Sequence, residues 1–137
     1  MAIPRFLIID DNSDSRFLLV KTLLRKFPDA VIQECQHSDA AVQVAKGENP
    51  TAIIAHRATD TDGITLVRLL RHVNPSVPLI MVSGIDRGQA ALAAGASQFL
   101  NYDEWLRIGT VVAELLGSTP TTSPFSPAKT AAPSARA

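Results

Sequence analysis

Short apolar runs alternate with longer amphipathic stretches along most of this chain. The aliphatic runs at Arg5–Ile9, Ala30–Cys35, Thr51–Ala55, Pro78–Val82 and Ser97–Leu100 have strand length and are bounded by polar or turn residues. Runs of this kind without in–out alternation read as strands covered on both faces. Between and after them, Ser13–Lys26, Ser38–Lys46, Asp62–Val73, Arg87–Ala94 and Asp103–Leu116 are predicted as helices. Phe17, Val20, Leu24 and Phe27 recur at helical spacing and are expected to form the core face of the first helix. Trp105, Ile108, Val112 and Leu115 do the same for the last. Gly47 and Gly95 stand where helices should stop, and Pro28, Pro75 and Pro78 punctuate turns. Strands alternating with helices predict an α/β fold, a doubly wound (βα)5 unit around a five-stranded parallel sheet.

From Gly117 onward the pattern stops. Gly, Ser, Thr, Pro and Ala dominate, no acidic residue occurs, and the stretch 117–137 is expected to be a disordered tail. The chain of 137 residues has enough apolar content for one core, placed here at residues 4–116. A formal net charge of zero argues against nucleic acid or an anionic membrane as partner. The apolar runs are too short to span a bilayer, and no leader precedes the first strand, so a cytoplasmic location is expected. Cys35, the single cysteine, reads as a small buried thiol in a strand.

In open parallel sheets, function gathers at the carboxyl ends of the strands. Here those ends carry Asp10-Asp11, the residues after Cys35, His56-Arg57, Ser83-Gly84 and Asn101-Tyr102. Adjacent carboxylates repel, so the Asp10–Asp11 pair calls for a positive neighbour, a metal ion or a basic side chain. The alternative is an acidic turn in which Asp11, Asn12 or Ser13 merely caps the first helix.

Several segments in order resemble the receiver domain of bacterial two-component response regulators. They are Ile8-Ile9-Asp10-Asp11-Asn12, Asp62-Gly63 opening the third helix, Val77 through Gly84 (VPLIMVSG), and Gly95-Ala96-Ser97-Gln98-Phe99-Leu100. The resemblance covers about residues 4 to 116 and implies a flavodoxin-like receiver fold. It implies further that Asp10 and Asp11 descend from a Mg²⁺ site, that Ser83 matches a phosphoryl-binding hydroxyl, and that Phe99 matches a switch aromatic. In that family an aspartate ending the third strand takes a phosphoryl group from a sensor kinase, and a lysine after the fifth strand helps hold it.

This chain departs from the pattern at both places. Counting forward from Pro50 puts the acceptor position at His56, and counting back from Gly63 puts it at Ala55; neither is an aspartate. Tyr102-Asp103 stands where the family has Lys-Pro. The implied Mg²⁺ site keeps two carboxylates of three, so it is expected to be weak or lost, with no cofactor required. Arg57, or His56 in its charged form, is expected to take the metal's place over Asp10 and Asp11, unless both point into solvent. Asp62 is expected to cap the third helix and Asp60 to be a solvated loop charge.

The function expected is that of a stand-alone pseudo-receiver, not an enzyme, which binds protein partners without phosphorylation: a histidine kinase, a phosphotransfer protein or another regulator. The face from Arg87 to Leu116 is the expected surface for a homodimer. An active regulator with an unusual acceptor and a flavodoxin-like small-ligand-binding protein are the alternatives.

Overall fold

In the computed structural model, which describes residues 3–117, five strands form one parallel sheet: β1 (Arg5–Asp10), β2 (Val31–Cys35), β3 (Ala52–Arg57), β4 (Leu79–Ser83) and β5 (Gln98–Asn101). Their order across the sheet is β2-β1-β3-β4-β5. Five α-helices connect and cover them: α1 (Ser13–Lys26), α2 (Ser38–Gly47), α3 (Gly63–Val73), α4 (Gly88–Ala94) and α5 (Ile108–Gly117). Residues 118–137, expected to be a disordered tail, lie outside the described residues. No helix of the described residues is long and apolar enough to cross a membrane.

Strand side chains point alternately to opposite faces, and the sheet separates two cores accordingly. Leu7, Ile9, Ile53, Ala55, Leu79 and Met81 pack with residues of α2, α3 and α4. Phe6, Ile8, Ile54, Ile80 and Val82 pack with Leu19 and Leu23 of α1 and with Ile108, Val111 and Val112 of α5. Burying these central strands on both faces is what their unbroken aliphatic runs announced.

Three expectations about the helices need correcting. The first concerns α1, whose inward face is Ser15, Leu19, Thr22 and Leu23. Phe17 is 61% exposed, and its ring lies beneath the Lys21 ammonium, 5.8 Å from the centroid. Val20 and Phe27 of the expected stripe do pack against the α1–α5 core, but the stripe missed two inward positions because they are hydroxyl residues that meet their needs internally. Ser15 bonds Asp10, and the Thr22 hydroxyl donates to the Leu18 carbonyl at 2.8 Å. Leu19→Ala is therefore expected to cost about 2–5 kcal/mol in urea unfolding. Phe17→Ser should change stability by no more than about 0.5 kcal/mol. Equal losses would mean that the original stripe was right.

The second correction concerns the last helix. Tyr102–Arg107 is a 3-10 segment with non-helical backbone at Glu104, and the α-helix begins only at Ile108. Third, Asp60 is no free loop charge: it accepts hydrogen bonds from the backbone N–H and hydroxyl of Ser38. It thereby caps α2, whose own N-cap residue His37 makes no side-chain bond. Asp62 does cap α3, accepting from the Thr65 N–H at 2.9 Å. Gly95 closes α4 with φ +121°, whereas the left-handed residue after α2 is Asn49 (φ 49°) rather than Gly47.

Candidate functional site

The chain leaves β1 by crossing to β2 on one side, then returns to β3 on the other, so neighbouring connections diverge between β1 and β3. A crevice at such a switch point is where open α/β sheets collect ligands. Asp10 ends β1 and His56 is the penultimate residue of β3, the two strands that flank it.

Strand β3 runs two residues further than its apolar run suggests, and its register with β1 slips there. Ile9 pairs with Ala55, but Asp10 pairs with Arg57. The Asp11 N–H donates to the Arg57 carbonyl at 3.1 Å, holding the extension in place. His56 is the residue bulged out by this slip, and such irregularities re-aim side chains. The two residues that counting nominated now separate. Ala55 is a core residue of the α2–α3 side and does not belong to the crevice. His56 faces Asp10.

Asp10 is wholly buried. Its Oδ1 accepts the Asn12 N–H at 3.0 Å; its Oδ2 accepts the Ser15 hydroxyl and lies 3.0 Å from His56 Nδ1. Its backbone carbonyl accepts from Arg16, 2.7 Å away. Burial by itself pushes the Asp10 carboxyl up. Hydrogen bonds from the His56 ring, the Ser15 hydroxyl and the Asn12 N–H, with the charge of His56, outweigh it and hold the group below the ordinary carboxylate value.

Asp11 is in a different situation. It is largely exposed, and its Oδ1 accepts from Arg57 Nε at 2.8 Å. The adjacent carboxylates are thus served separately, one by an imidazole inside and one by a guanidinium at the surface. Of the possible caps, Asn12 is the one used; its side chain accepts the Ser15 N–H at 2.9 Å.

The His56 ring, 8% exposed, is stacked on Tyr102 with centroids 5.1 Å apart and planes 12° from parallel. Burial raises the Tyr102 hydroxyl above its usual value, and the charges of Asp10 and Asp14 add to that against the opposing Arg57. Two cavities are bordered by His56. One, of about 320 Å³, also touches Arg57, Asp62, Ser83, Ile85 and Arg87. The other, of about 310 Å³, touches Asn12, Ser15, Arg57 and Tyr102. The Ser83 hydroxyl accepts the Ile85 N–H at 3.1 Å and so shapes the loop after β4. Phe99 lies further off, partly buried against the α2–α4 core.

Ser15 and Arg87 were not singled out by the sequence. A hydroxyl on the inward face of α1, within one turn of a strand-end aspartate, was the available signal for Ser15. Nothing local marks Arg87, which borders the larger cavity from the start of α4.

A carboxylate held below its ordinary value stabilises the fold above that value and ceases to do so as pH falls through the native one. Asp10 is such a group. So is Asp60, held down by the Ser38 hydroxyl and N–H, and Asp62, held down by the Thr65 N–H. The urea midpoint should therefore fall below about pH 4. Asp10→Asn should flatten that fall more than Asp60→Asn; the reverse order would contradict the buried network.

The chain matches the family model described as the response regulator receiver domain over residues 6–103. It belongs to that family. This receiver domain is 24% identical over 97 residues to the DNA-binding transcriptional regulator NtrC of Proteus hauseri, a match spanning 68% of the chain but only 20% of that relative. Among solved structures it resembles the response regulator domain of Thermotoga maritima CheB, with TM-score 0.71 and 20% identity over 87% of this chain and 100% of that one. It also resembles a response regulator from Burkholderia pseudomallei, solved with a phosphorylated aspartic acid, a calcium ion and citrate. There the TM-score is 0.63 at 22% identity, over 81% of this chain and 72% of that one. At such identities the structural likeness establishes the fold, here a five-stranded flavodoxin-like receiver. Membership makes the chain a signalling domain of two-component systems.

Proposed function

We propose that this receiver domain signals by docking onto protein partners and needs neither an aspartyl phosphate nor Mg²⁺ to do so. The observation that carries this reading is the pairing of both carboxylates with basic side chains, Asp10 with His56 and Asp11 with Arg57. A small hard cation wants a shell of oxygen ligands. Asp10 already accepts three hydrogen bonds, and the place of a third carboxylate is taken by a ring whose Nδ1 faces Asp10 as a donor. The residues present do not fit the ion. Each carboxylate is met by a nitrogen of β3, and the two contacts hold the strand ends in one arrangement.

The partners are a histidine kinase, a phosphotransfer protein or another regulator, in the cytoplasm. The face from Arg87 to Leu116, with Leu92 and Leu106 exposed, is the surface proposed for docking or for a second copy.

Tagged full-length protein should capture the same kinase or phosphotransfer protein from its native cells in EDTA as with Mg²⁺ and acetyl phosphate. In parallel, the amide signals of Asp10 and Asp11 should not shift saturably with millimolar Mg²⁺. Capture that requires Mg²⁺ and acetyl phosphate would overturn the reading.

A further inference from the structure

Strand β5 lies at the edge of the sheet and is separated from β3 by β4. With neighbouring strands about 4.8 Å apart, roughly 10 Å lies between the ends of β5 and β3. Tyr102, the first residue after β5, crosses that gap. Its ring lies on the His56 ring with centroids 5.1 Å apart and planes 12° from parallel, an offset stack. The Tyr102 ring also packs against the α1–α5 core. Its hydroxyl bonds to no described residue, so its tie to the crevice is the stacked face.

The segment that Tyr102 opens has little else to hold it. Tyr102–Arg107 is a 3-10 run, a form with poorer hydrogen-bond geometry than the α-helix, and its backbone leaves helical values at Glu104. None of its residues is fully buried. At its start the Asn101 side chain accepts the Asp103 N–H at 2.9 Å, and at its end the Ile108 N–H donates to the Trp105 carbonyl. Its ion pair, Arg107 with Glu104, is internal and exposed. Yet this segment carries Leu106, 63% exposed, on the face proposed for docking.

We propose that Tyr102 is a positioning residue for docking: stacked on His56, it fixes the 3-10 segment in the arrangement that presents Leu106 to a partner. This deepens the docking reading and rests on it. An apolar side chain on a loosely held segment binds only after the segment is ordered, and ordering it beforehand removes that cost from association. The stack does the ordering. His56 is itself fixed by Asp10, 3.0 Å from Nδ1, so the contacts run from the buried carboxylate through the imidazole and the Tyr102 ring to the segment. Phe99 stands outside this series, because it packs on the opposite face of the sheet. The position needs a planar ring. Phenylalanine keeps the stack, whereas leucine keeps an apolar contact with the core and offers no face to the imidazole.

The test compares the full-length wild type with Tyr102→Leu, Tyr102→Phe, His56→Asn and the double variant His56→Asn/Tyr102→Leu, all in EDTA. Amide hydrogen exchange reads the Ile108 N–H, and amides of β1 and β3 report on the fold as a whole. Tyr102→Leu should speed exchange at Ile108 roughly fivefold beyond any change in β1 and β3, and Tyr102→Phe should restore it. In the His56→Asn background Tyr102→Leu should add little, because the ring it stacked on is gone. Affinity for the captured kinase or phosphotransfer protein should follow the same order, roughly fivefold weaker for Tyr102→Leu and restored by Tyr102→Phe. Exchange that is unchanged, or that rises equally at Ile108, β1 and β3, would overturn the proposal. So would an equal effect of Tyr102→Leu with and without the His56 ring. Should Tyr102→Leu not fold, His56→Asn alone removes the stack and must loosen Ile108 in the same way. Capture in EDTA that Tyr102→Leu leaves at full strength sinks this inference and spares the docking reading. Capture by the wild type only with Mg²⁺ and acetyl phosphate sinks both.

Discussion

His56→Asp should lose about 3–5 kcal/mol of stability in EDTA, and millimolar Mg²⁺ should restore much of it. The substitution removes the Nδ1–H that serves buried Asp10 and sets a second carboxylate against the first. Two carboxylates in a water-poor crevice cannot both stay ionised at little cost. One of them takes up a proton, or the strand ends move apart. With Asp11 they also complete three oxygen donors at one place, the number an octahedral ion can use alongside water. Ion binding to the native state alone adds RT ln(1 + [Mg²⁺]/Kd), about 2.7 kcal/mol at a concentration of 100 Kd.

The wild type should gain little from the same Mg²⁺, because the His56 ring and the Arg57 guanidinium already occupy the two carboxylates. Melting both proteins in EDTA and across a Mg²⁺ series separates the outcomes. A variant as stable as the wild type in EDTA would mean that His56 does not hold Asp10. A wild type that gains as much from Mg²⁺ as the variant would sink the ion-replacement reading. Should His56→Asp fail to fold without the ion, His56→Asn supplies the missing donor without the added charge. It should recover most of the loss in EDTA and show no Mg²⁺ effect.

The architecture was readable because long-range placement followed from local pattern. An aliphatic run such as Phe6–Ile9 has no solvent face, so it had to lie between two helical layers, and the alternation of elements then fixed a parallel sheet. What could not be read was the register at the carboxyl ends. Whether His56 or Ala55 faced Asp10 turned on a one-residue slip between β1 and β3, and one residue moves a side chain to the other face. The inward face of α1 was hidden for a related reason: Ser15 and Thr22 are polar and count against burial until their partners are known. Asp60 was missed because its partner Ser38 is 22 residues away. Local composition carries no trace of such contacts.

Arg71→Ala should cost about 2–4 kcal/mol, a large loss for a polar side chain outside the crevice. Its guanidinium is partly buried and has no carboxylate partner among the described residues; burial lowers its pKa. It serves the backbone instead. Nε donates to the Gly95 carbonyl at 2.8 Å, one terminal nitrogen to the carbonyls of Val77 (2.7 Å) and Asn74 (3.1 Å), and the other to the Ser97 hydroxyl (3.2 Å). One planar fork thus ties the end of α3, the approach to β4 and the turn from α4 into β5. An ammonium cannot span these acceptors, so Arg71→Lys should recover less than half of the loss. Gly95 provides a cross-check. Its φ of +121° disfavours a side chain, and a Cβ there would lie 2.7 and 2.9 Å from Cγ and Cβ of Arg71. Gly95→Ala should therefore be destabilising in the wild type but less so alongside Arg71→Ala, where the contact with Cγ is gone while the contact with Cβ and the backbone cost remain. Strict additivity in that double-mutant cycle, or a loss below about 1 kcal/mol for Arg71→Ala, would show that the fork does not clamp this corner.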